Sequence, residues 1–468
     1  MISDRSMGTE PITFPPGFGW GTATASYQIE GAVDADGKVP SVWDTFSHIP
    51  GKIFDGTNGD RAADHYNRWA EDVDLLAELG APFYRFSLAW PRLQFESPGV
   101  LNQKGVDFYR RLADALVAKG VTPWVTLFHW DLPQWIEDEG GWPARATAYR
   151  FADYAEAAYA ALGDHIKYWT TLNEPINPSI TSYSQGEHAP GGQDPVAAIK
   201  AAHHLLLGHG LAVERIRAAA KPNLELGITI NQGPVLPWSD SPADLDAARR
   251  VGGIINRFYL DPVLTGQYPA DIIADLQQYM SFDHIQDGDM ELIGQKLDAL
   301  GLNNYRRNIV RAGGPDAPAR FRPGTLYIGA GDVEVLKRGW PASDRGWEID
   351  PEGMRDLLIH VWRDYDSPPL WVTESGSSWD DVVSPDGQVH DAARVRYLDS
   401  YIRGIHQAIV AGVDLRGYFV WSTMDNFEWA FGESSRFGLI YVDFETQVRI
   451  RKDSFYWFKD VVARNGIA

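Results

Sequence analysis

Two glutamates carry the chemistry this sequence could do. Glu174 closes the stretch Tyr168-Trp169-Thr170-Thr171-Leu172-Asn173-Glu174-Pro175, where a β-branched and aromatic run stops on an amide, a carboxylate and a proline. Glu374 closes a second apolar run, Leu370-Trp371-Val372-Thr373, and is followed by Ser375. A carboxylate at the end of a strand is held by a rigid element and aimed at the cleft that strand borders. Two carboxyl groups about 5 to 5.5 Å apart suit a two-step displacement at a sugar's anomeric carbon, one as nucleophile and one as acid, then base. The plainer alternative is that Glu174 caps the next helix, because Glu-Pro is an ordinary strand-to-helix junction and acidic residues suit helix N-termini. Taken alone the two are evenly matched, so the elements around the glutamates must decide.

Those elements alternate. Eight β-rich runs, Phe18 to Thr22, Phe83 to Ala89, Thr122 to Phe128, Tyr168 to Leu172, Glu225 to Ile230, Leu300 to Asn303, Leu370 to Thr373 and Gly417 to Trp421, are separated by stretches of helical period such as Ala70 to Leu79, Asp107 to Ala118, Arg150 to Leu162, Pro195 to Ala220 and Val395 to Ala411. Strand-helix alternation repeated eight times predicts an α/β fold with parallel strands, and eight is the number that closes a (β/α)8 TIM barrel. The 468 residues could hold two or three average domains, but no linker, charge block or low-complexity tract divides them, so residues 1–468 read as one domain with 1–12 as a flexible tail. Long insertions follow the first strand (Tyr27 to Asp60), the fifth (Gln232 to Gly253) and the sixth (Ala312 to Trp347), and such βα loops build the mouth of a barrel.

Polar groups gather at the strand ends. The first strand runs into Gln28 and Glu30, the second carries Arg85, the third ends in His129-Trp130-Asp131 and the fourth in Asn173-Glu174. The fifth ends in Asn231, the sixth in Asn303-Asn304-Tyr305, the seventh in Glu374, and the eighth leads from Trp421 to Asp425-Asn426-Phe427-Glu428-Trp429. A barrel built for stability alone has little use for amides, carboxylates and imidazole on one face. Glu174 and Glu374 would face each other there, as retaining glycoside hydrolysis requires. Hydrogen bonds from Arg85 and Tyr305 would keep Glu374 ionised, and Asn173 could hold a substrate hydroxyl. Singly, Trp130 or Trp421 would more often be core, and His129 a satisfied buried histidine; joint placement shifts the odds.

Composition excludes other functions. A formal charge of -21 and a pI near 4.9 disfavour nucleic acid and anionic membranes as partners. Without cysteine there is no disulfide, thiolate metal site or cysteine nucleophile. No apolar leader stands in residues 1–11 and no uninterrupted apolar run reaches the length of a membrane span, so a cytoplasmic location is expected. His203, His204 and His209 lack zinc-helix spacing, Asp34-Ala35-Asp36-Gly37 lacks the later ligands of a calcium loop, and no phosphate-cradling glycine loop is present; no cofactor or metal is expected. Asn177-Pro178-Ser179 has the proline that forbids glycosylation.

Over nearly its whole length the chain resembles glycoside hydrolase family 1, the β-glucosidase family. The resemblance rests on residues 14–31 (FPPGFGWGTATASYQIEG), Tyr84-Arg85-Phe86-Ser87, Phe128-His129-Trp130-Asp131-Leu132-Pro133, Thr171-Leu172-Asn173-Glu174-Pro175, Asp425-Asn426-Phe427-Glu428-Trp429 and Arg436-Phe437-Gly438-Leu439. It implies Glu174 as acid/base and Glu374 as nucleophile. It also implies a sugar pocket of Gln28, His129, Trp130, Asn173, Trp421, Glu428 and Trp429, site positions at Asn303 and Tyr305, and an aglycone platform at Trp347. Retention of the Glu428-Trp429 pair implies a neutral rather than a 6-phosphorylated sugar, and retention of Glu174 implies O-glycosides. Ser375, Asn304 and Glu433 depart from the family pattern, and Glu433 could add a carboxylate at the cleft rim. The expectation is a retaining β-glucosidase with side activity on β-galactosides or β-fucosides, acting on β-glucosides and short β-linked oligosaccharides in cellulose degradation. The alternatives are a transglycosylating β-glycosidase and a non-catalytic carbohydrate-binding barrel.

Overall fold

The eight apolar runs become eight parallel strands: β1 Gly19–Ala23, β2 Phe83–Ser87, β3 Thr122–Phe128, β4 Tyr168–Asn173, β5 Glu225–Asn231, β6 Ala299–Asn303, β7 Leu370–Ser375 and β8 Leu415–Trp421. In the computed structural model, which describes residues 8–94 and 99–468, each strand bonds to its sequence neighbours and β8 bonds back to β1, so the sheet closes into a barrel without edges. Every strand lies within two residues of its expected run, and the strands are almost wholly buried because helices cover the outer face.

The covering ring comprises α1 His65–Leu79, α2 Gln103–Ala118, α3 Ala146–Leu162, α4 Pro195–Ala218, α5 Phe258–Thr265, α6 Pro351–Asp364, α7 Ala392–Val410 and α8 Asp453–Arg464. Side chains fix three of the starts. Asn102 accepts from Lys104 N at 3.2 Å before α2, Asp194 from Val196 N at 2.8 Å before α4, and Asp350 from Gly353 N at 3.0 Å before α6. By length and composition α4 could cross a membrane, but 83% of its apolar window is buried inside the protein.

The barrel's lower end is stoppered by rings. Phe83, Trp124, Tyr168, Trp371 and Phe419 converge inside it, with Trp124 centred 5.0 Å from Tyr168 and 4.9 Å from Trp371. Space for them comes from missing side chains on β1 and β8: a Cβ at Gly19 or Gly417 would stand 2.4 or 2.3 Å from the Trp371 ring, and one at Gly21 would stand 2.1 Å from Phe419. Beneath this, Ile12–Thr13 pairs antiparallel with Gly466–Ile467. Of the stretch expected as a tail, residues 1–7 lie outside the described residues and Ile12 is thus tied to the C-terminus.

At the upper end the long insertions acquire structure of their own. The loop after β5 supplies Val235–Pro237, and the loop after β6 supplies Asn308–Arg311 and Glu334–Leu336; together they form a three-stranded sheet beside the mouth.

Candidate active site

The mouth encloses a cavity of about 400 Å³, and both glutamates line it. Strand pairing is irregular beside both. The ladder between β4 and β5 slips in register between Thr170 and Asn173, and the β6–β7 ladder slips between Val372 and Glu374, so each strand is bent just where its carboxylate emerges. Glu174 and the cavity aromatics Trp130 and Trp429 all adopt left-handed backbone, with φ of 47°, 77° and 50°. Such conformations are costly for large side chains and persist where neighbours over-determine them. Here Glu174 N donates to Thr229 O and Trp130 Nε1 to Asn173 O, both at 2.9 Å.

Glu374 is held by donors. Arg85 Nη1 donates to its Oε1 at 2.6 Å and Tyr305 OH to its Oε2 at 2.8 Å. The second arm of Arg85 donates to Asn173 Oδ1 at 2.7 Å. Glu174 is held by amides instead, with Asn303 Nδ2 on Oε1 at 2.7 Å and Asn177 Nδ2 on Oε2 at 2.6 Å. These partners separate two carboxyls that are both buried. Burial and the Glu374 charge push Glu174 up to about 8, and Asn303, Arg85 and Asn231 offset this only in part. Burial raises Glu374 as well, but Arg85, Tyr305 and Asn303 pull it back. Two neighbouring carboxyls resist ionising together, and the one with a guanidinium at 2.6 Å keeps the charge. At neutral pH the pair therefore holds an ionised Glu374 and a protonated Glu174.

A second carboxyl deepens the cavity. Glu428 Oε2 accepts from Gln28 Nε2 at 3.2 Å and Trp421 Nε1 at 3.4 Å, and burial together with the Glu374 and Glu174 charges raises Glu428 to about 8. His129 lies nearly parallel to Trp421 and Trp429, and Trp130 approaches Trp429 to 4.5 Å between ring centres. The protonation of His129 follows from its neighbours. Because Arg85 and Asn303 both donate to Asn173 Oδ1, the Asn173 Nδ2 is the atom that faces His129 Nε2 at 2.9 Å. Burial and Arg85 hold the imidazole well below its usual pKa, so it is neutral, Nε2 accepts and Nδ1 carries the hydrogen. That Nδ1 and the Gln28 Oε1 are buried without a partner among the described residues.

Of the residues singled out in the sequence, His129, Trp130, Glu174, Tyr305, Trp347, Glu374, Trp421, Glu428 and Trp429 line the cavity. Gln28, Arg85, Asn173 and Asn303 stand behind it, fully or almost fully buried, bonded to the residues that do. Trp347 shares one aromatic wall with Tyr305, at 5.5 Å, and Phe437, at 6.0 Å. The sequence reading missed Asn177 as a partner of Glu174, although a donor three residues beyond a carboxylate at a helix start was a usable signal. It also missed Gln185, the last residue of the irregular helical segment Asn177–Gln185, and Glu187, His188, Arg306 and Tyr327, which come from aperiodic loops that leave no pattern. The departures are accommodated: Ser375 Oγ lies 3.1 Å from Tyr397 OH, and Asn304 Nδ2 donates to Gln232 O at 2.7 Å. Glu433 is outside the cavity lining; burial and the Asp55 charge push it up to about 7.

The raised Glu428 has a consequence for stability. Its folded pKa of about 8 exceeds the 4.5 of a free side chain. Below the lower value both states are protonated and nothing is lost; as pH climbs through this window the unfolded chain ionises and the fold loses stability. Glu428→Gln removes that loss, so Tm at about pH 8 rises by about 2 °C or more while the difference vanishes at about pH 4, as thermal scans would show.

A closed parallel barrel with two buried, oppositely supported carboxyls at its mouth has the architecture of a retaining glycoside hydrolase. The chain belongs to glycosyl hydrolase family 1, whose model matches residues 10–467. It is 45% identical to β-glucosidase A of Thermotoga maritima over 97% of this chain and 98% of that one. It is 46% identical to a bifunctional β-D-glucosidase/β-D-fucosidase of Bifidobacterium breve, again over 97% and 98%. Among solved structures, the psychrophilic β-glucosidase of Micrococcus antarcticus superposes with a TM-score of 0.92 at 44% identity, covering 97% of this chain and 98% of that one. A T. maritima β-glucosidase in complex with deoxynojirimycin gives 0.91 at 44%, covering 97% and 100%.

Proposed function

We propose that the protein is a retaining β-glucosidase that removes terminal non-reducing β-D-glucosyl residues from β-glucosides and short β-linked oligosaccharides, with side activity on β-fucosides and β-galactosides. The observation that carries this is the asymmetry of the two carboxyls: Glu374 between Arg85 and Tyr305, Glu174 among amides alone, Asn303, Asn177 and Asn231. Glu174 gives its proton to the glycosidic oxygen while a Glu374 oxygen bonds to C1 and the C1–O bond breaks, inverting the anomeric centre. The alcohol leaves with that proton. Glu174, now ionised, takes a proton from water, whose oxygen attacks C1 and displaces Glu374; a second inversion restores the β configuration.

The neutral His129, the Gln28 amide and Glu428 supply a donor, an acceptor and a mixed group for the sugar hydroxyls, and Trp421 and Trp429 supply flat faces for the ring. The wall of Trp347, Tyr305 and Phe437 receives the leaving group. The β-fucosidase named for the B. breve relative supports side activity on a sugar that lacks a hydroxyl at C6. Cleavage of short oligosaccharides would place the enzyme late in cellulose degradation. A panel of 4-nitrophenyl β-glucoside, galactoside, fucoside and 6-phosphoglucoside tests the assignment: glucoside and fucoside lead, and the phosphorylated sugar is turned over at least about 100-fold more slowly because, among the described residues, Glu174, Glu187, Glu374 and Glu428 line the cavity and no lysine does. A lead for the phosphorylated sugar would overturn it. Product analysis at high substrate separates hydrolysis from the alternative of transglycosylation.

A further inference from the structure

Asn303 and Asn177, which stand beside Asn231 among the amides that hold Glu174, are not equivalent. Asn303 is locked: its Nδ2 donates to Glu174 Oε1 at 2.7 Å and to Asn173 Oδ1 at 3.1 Å, and its Oδ1 accepts from Thr373 Oγ1 at 2.7 Å. Asn173 Oδ1 is itself fixed by Arg85, which can only donate, so the Asn303 amide cannot turn without setting two acceptors face to face. Glu174 Oε1 therefore always meets an N–H, and the proton that Glu174 must carry belongs on Oε2.

Oε2 meets Asn177. That amide donates to it at 2.6 Å, and its Oδ1 accepts from Thr181 Oγ1 at 3.1 Å. Asn177 and Thr181 lie on the irregular helical segment Asn177–Gln185 directly after the Glu174-Pro175 junction; both line the cavity, and Asn177 is only half-buried. No other side chain bonds to the Asn177 amide among the described residues. A hydroxyl donates or accepts according to its rotation, so Thr181 satisfies either end of the amide. With Glu174 ionised, N–H faces the carboxylate and Thr181 donates to Oδ1. With Glu174 protonated, a half-turn of the amide sets Oδ1 toward the Oε2 hydroxyl and N–H toward Thr181.

We propose that Asn177 is a positioning residue whose amide turns over with the protonation state of Glu174, hinged on the Thr181 hydroxyl, so that one side chain steadies Glu174 both as the acid of the first step and as the base of the second. This rests on Glu174 being the acid/base. The rotation moves no covalent bond and needs no other reactant. The Oε2–H held by Oδ1 is released to the glycosidic oxygen as the leaving group departs, and the amide then returns to stabilise the carboxylate.

The test is the pH profile of kcat/KM on phenyl β-glucoside, whose poor leaving group requires the proton. Loss of the amide in Asn177→Ala removes a charge-assisted bond to the ionised form and a weaker neutral bond to the protonated form, so the alkaline limb moves up by the difference, about half to one pH unit. Asn177→Asp, isosteric and so sparing the fold, replaces the donor with a second acid and moves the limb further up. Thr181→Val removes the hinge, leaves the amide free to face either way, and gives a smaller upward shift. An alkaline limb unchanged in Asn177→Ala and Asn177→Asp, whatever happens to kcat, would overturn the proposal. A Thr181→Val profile identical to wild type would overturn the hinge. The underlying assignment fails separately, by undiminished hydrolysis of phenyl β-glucoside by Glu174→Gln.

Discussion

Glu374→Ala loses hydrolysis of an aryl β-glucoside by on the order of 10⁵-fold, and sodium azide restores part of it with inverted stereochemistry. Arg85, Tyr305 and Asn303 surround the vacated carboxylate position, so truncation leaves a methyl group facing a cationic, donor-rich hole. Azide is small and anionic and fits such a hole. It attacks C1 from the side the carboxylate occupied, and with no covalent enzyme intermediate only one inversion occurs, giving the α-glucosyl azide. NMR of the product decides: β-glucosyl azide, or activity near that of wild type without azide, would remove Glu374 from the nucleophile's role.

Glu174→Ala separates the two steps. A 2,4-dinitrophenolate leaves without a proton, so the 2,4-dinitrophenyl glucoside still glycosylates Glu374, whereas no base remains to activate water. Rapid mixing is expected to show a burst of dinitrophenolate followed by a slow phase, and intact-protein mass spectrometry a chain heavier by one glucosyl unit. Phenyl glucoside, whose departure needs the acid, loses activity in both steps, by at least about 10³-fold. Absence of a burst together with absence of an adduct would count against the acid/base role. On phenyl β-glucoside the alkaline limb of kcat/KM follows the Glu174 pKa of about 8 in the wild type and should be lost from the residual activity of Glu174→Ala.

The barrel was legible in the sequence because parallel strands buried on both faces must be continuous apolar runs, and each such run ended on polar residues only where the strand reached the mouth. The same logic exposed Glu174, Glu374, His129 and Glu428. What pattern alone did not reveal is how these residues are turned. The register slips beside Glu174 and Glu374, and the left-handed backbone at Trp130, Glu174 and Trp429, are decided by tertiary contacts that no local periodicity encodes. Asn177 shows the limit most plainly: the sequence reading sees in it a failed glycosylation signal and passes over its spacing from Glu174, yet its amide lies 2.6 Å from a catalytic carboxyl. Conversely Glu433, conspicuous in the sequence, is kept out of the cavity and beside Asp55 by the loop that carries it.

The rings of Phe83, Trp124, Tyr168, Trp371 and Phe419 that stopper the barrel also dictate traffic. A well closed at its base has one door. The aglycone, bound outermost, leaves first, and water reaches the glucosylated Glu374 through the space it vacates; the freed sugar, seated deepest, must then go out by the route along which the next substrate comes in. Glucose and substrate thus share one passage as well as one pocket, because the glycines at positions 19, 21 and 417 let those rings close the floor.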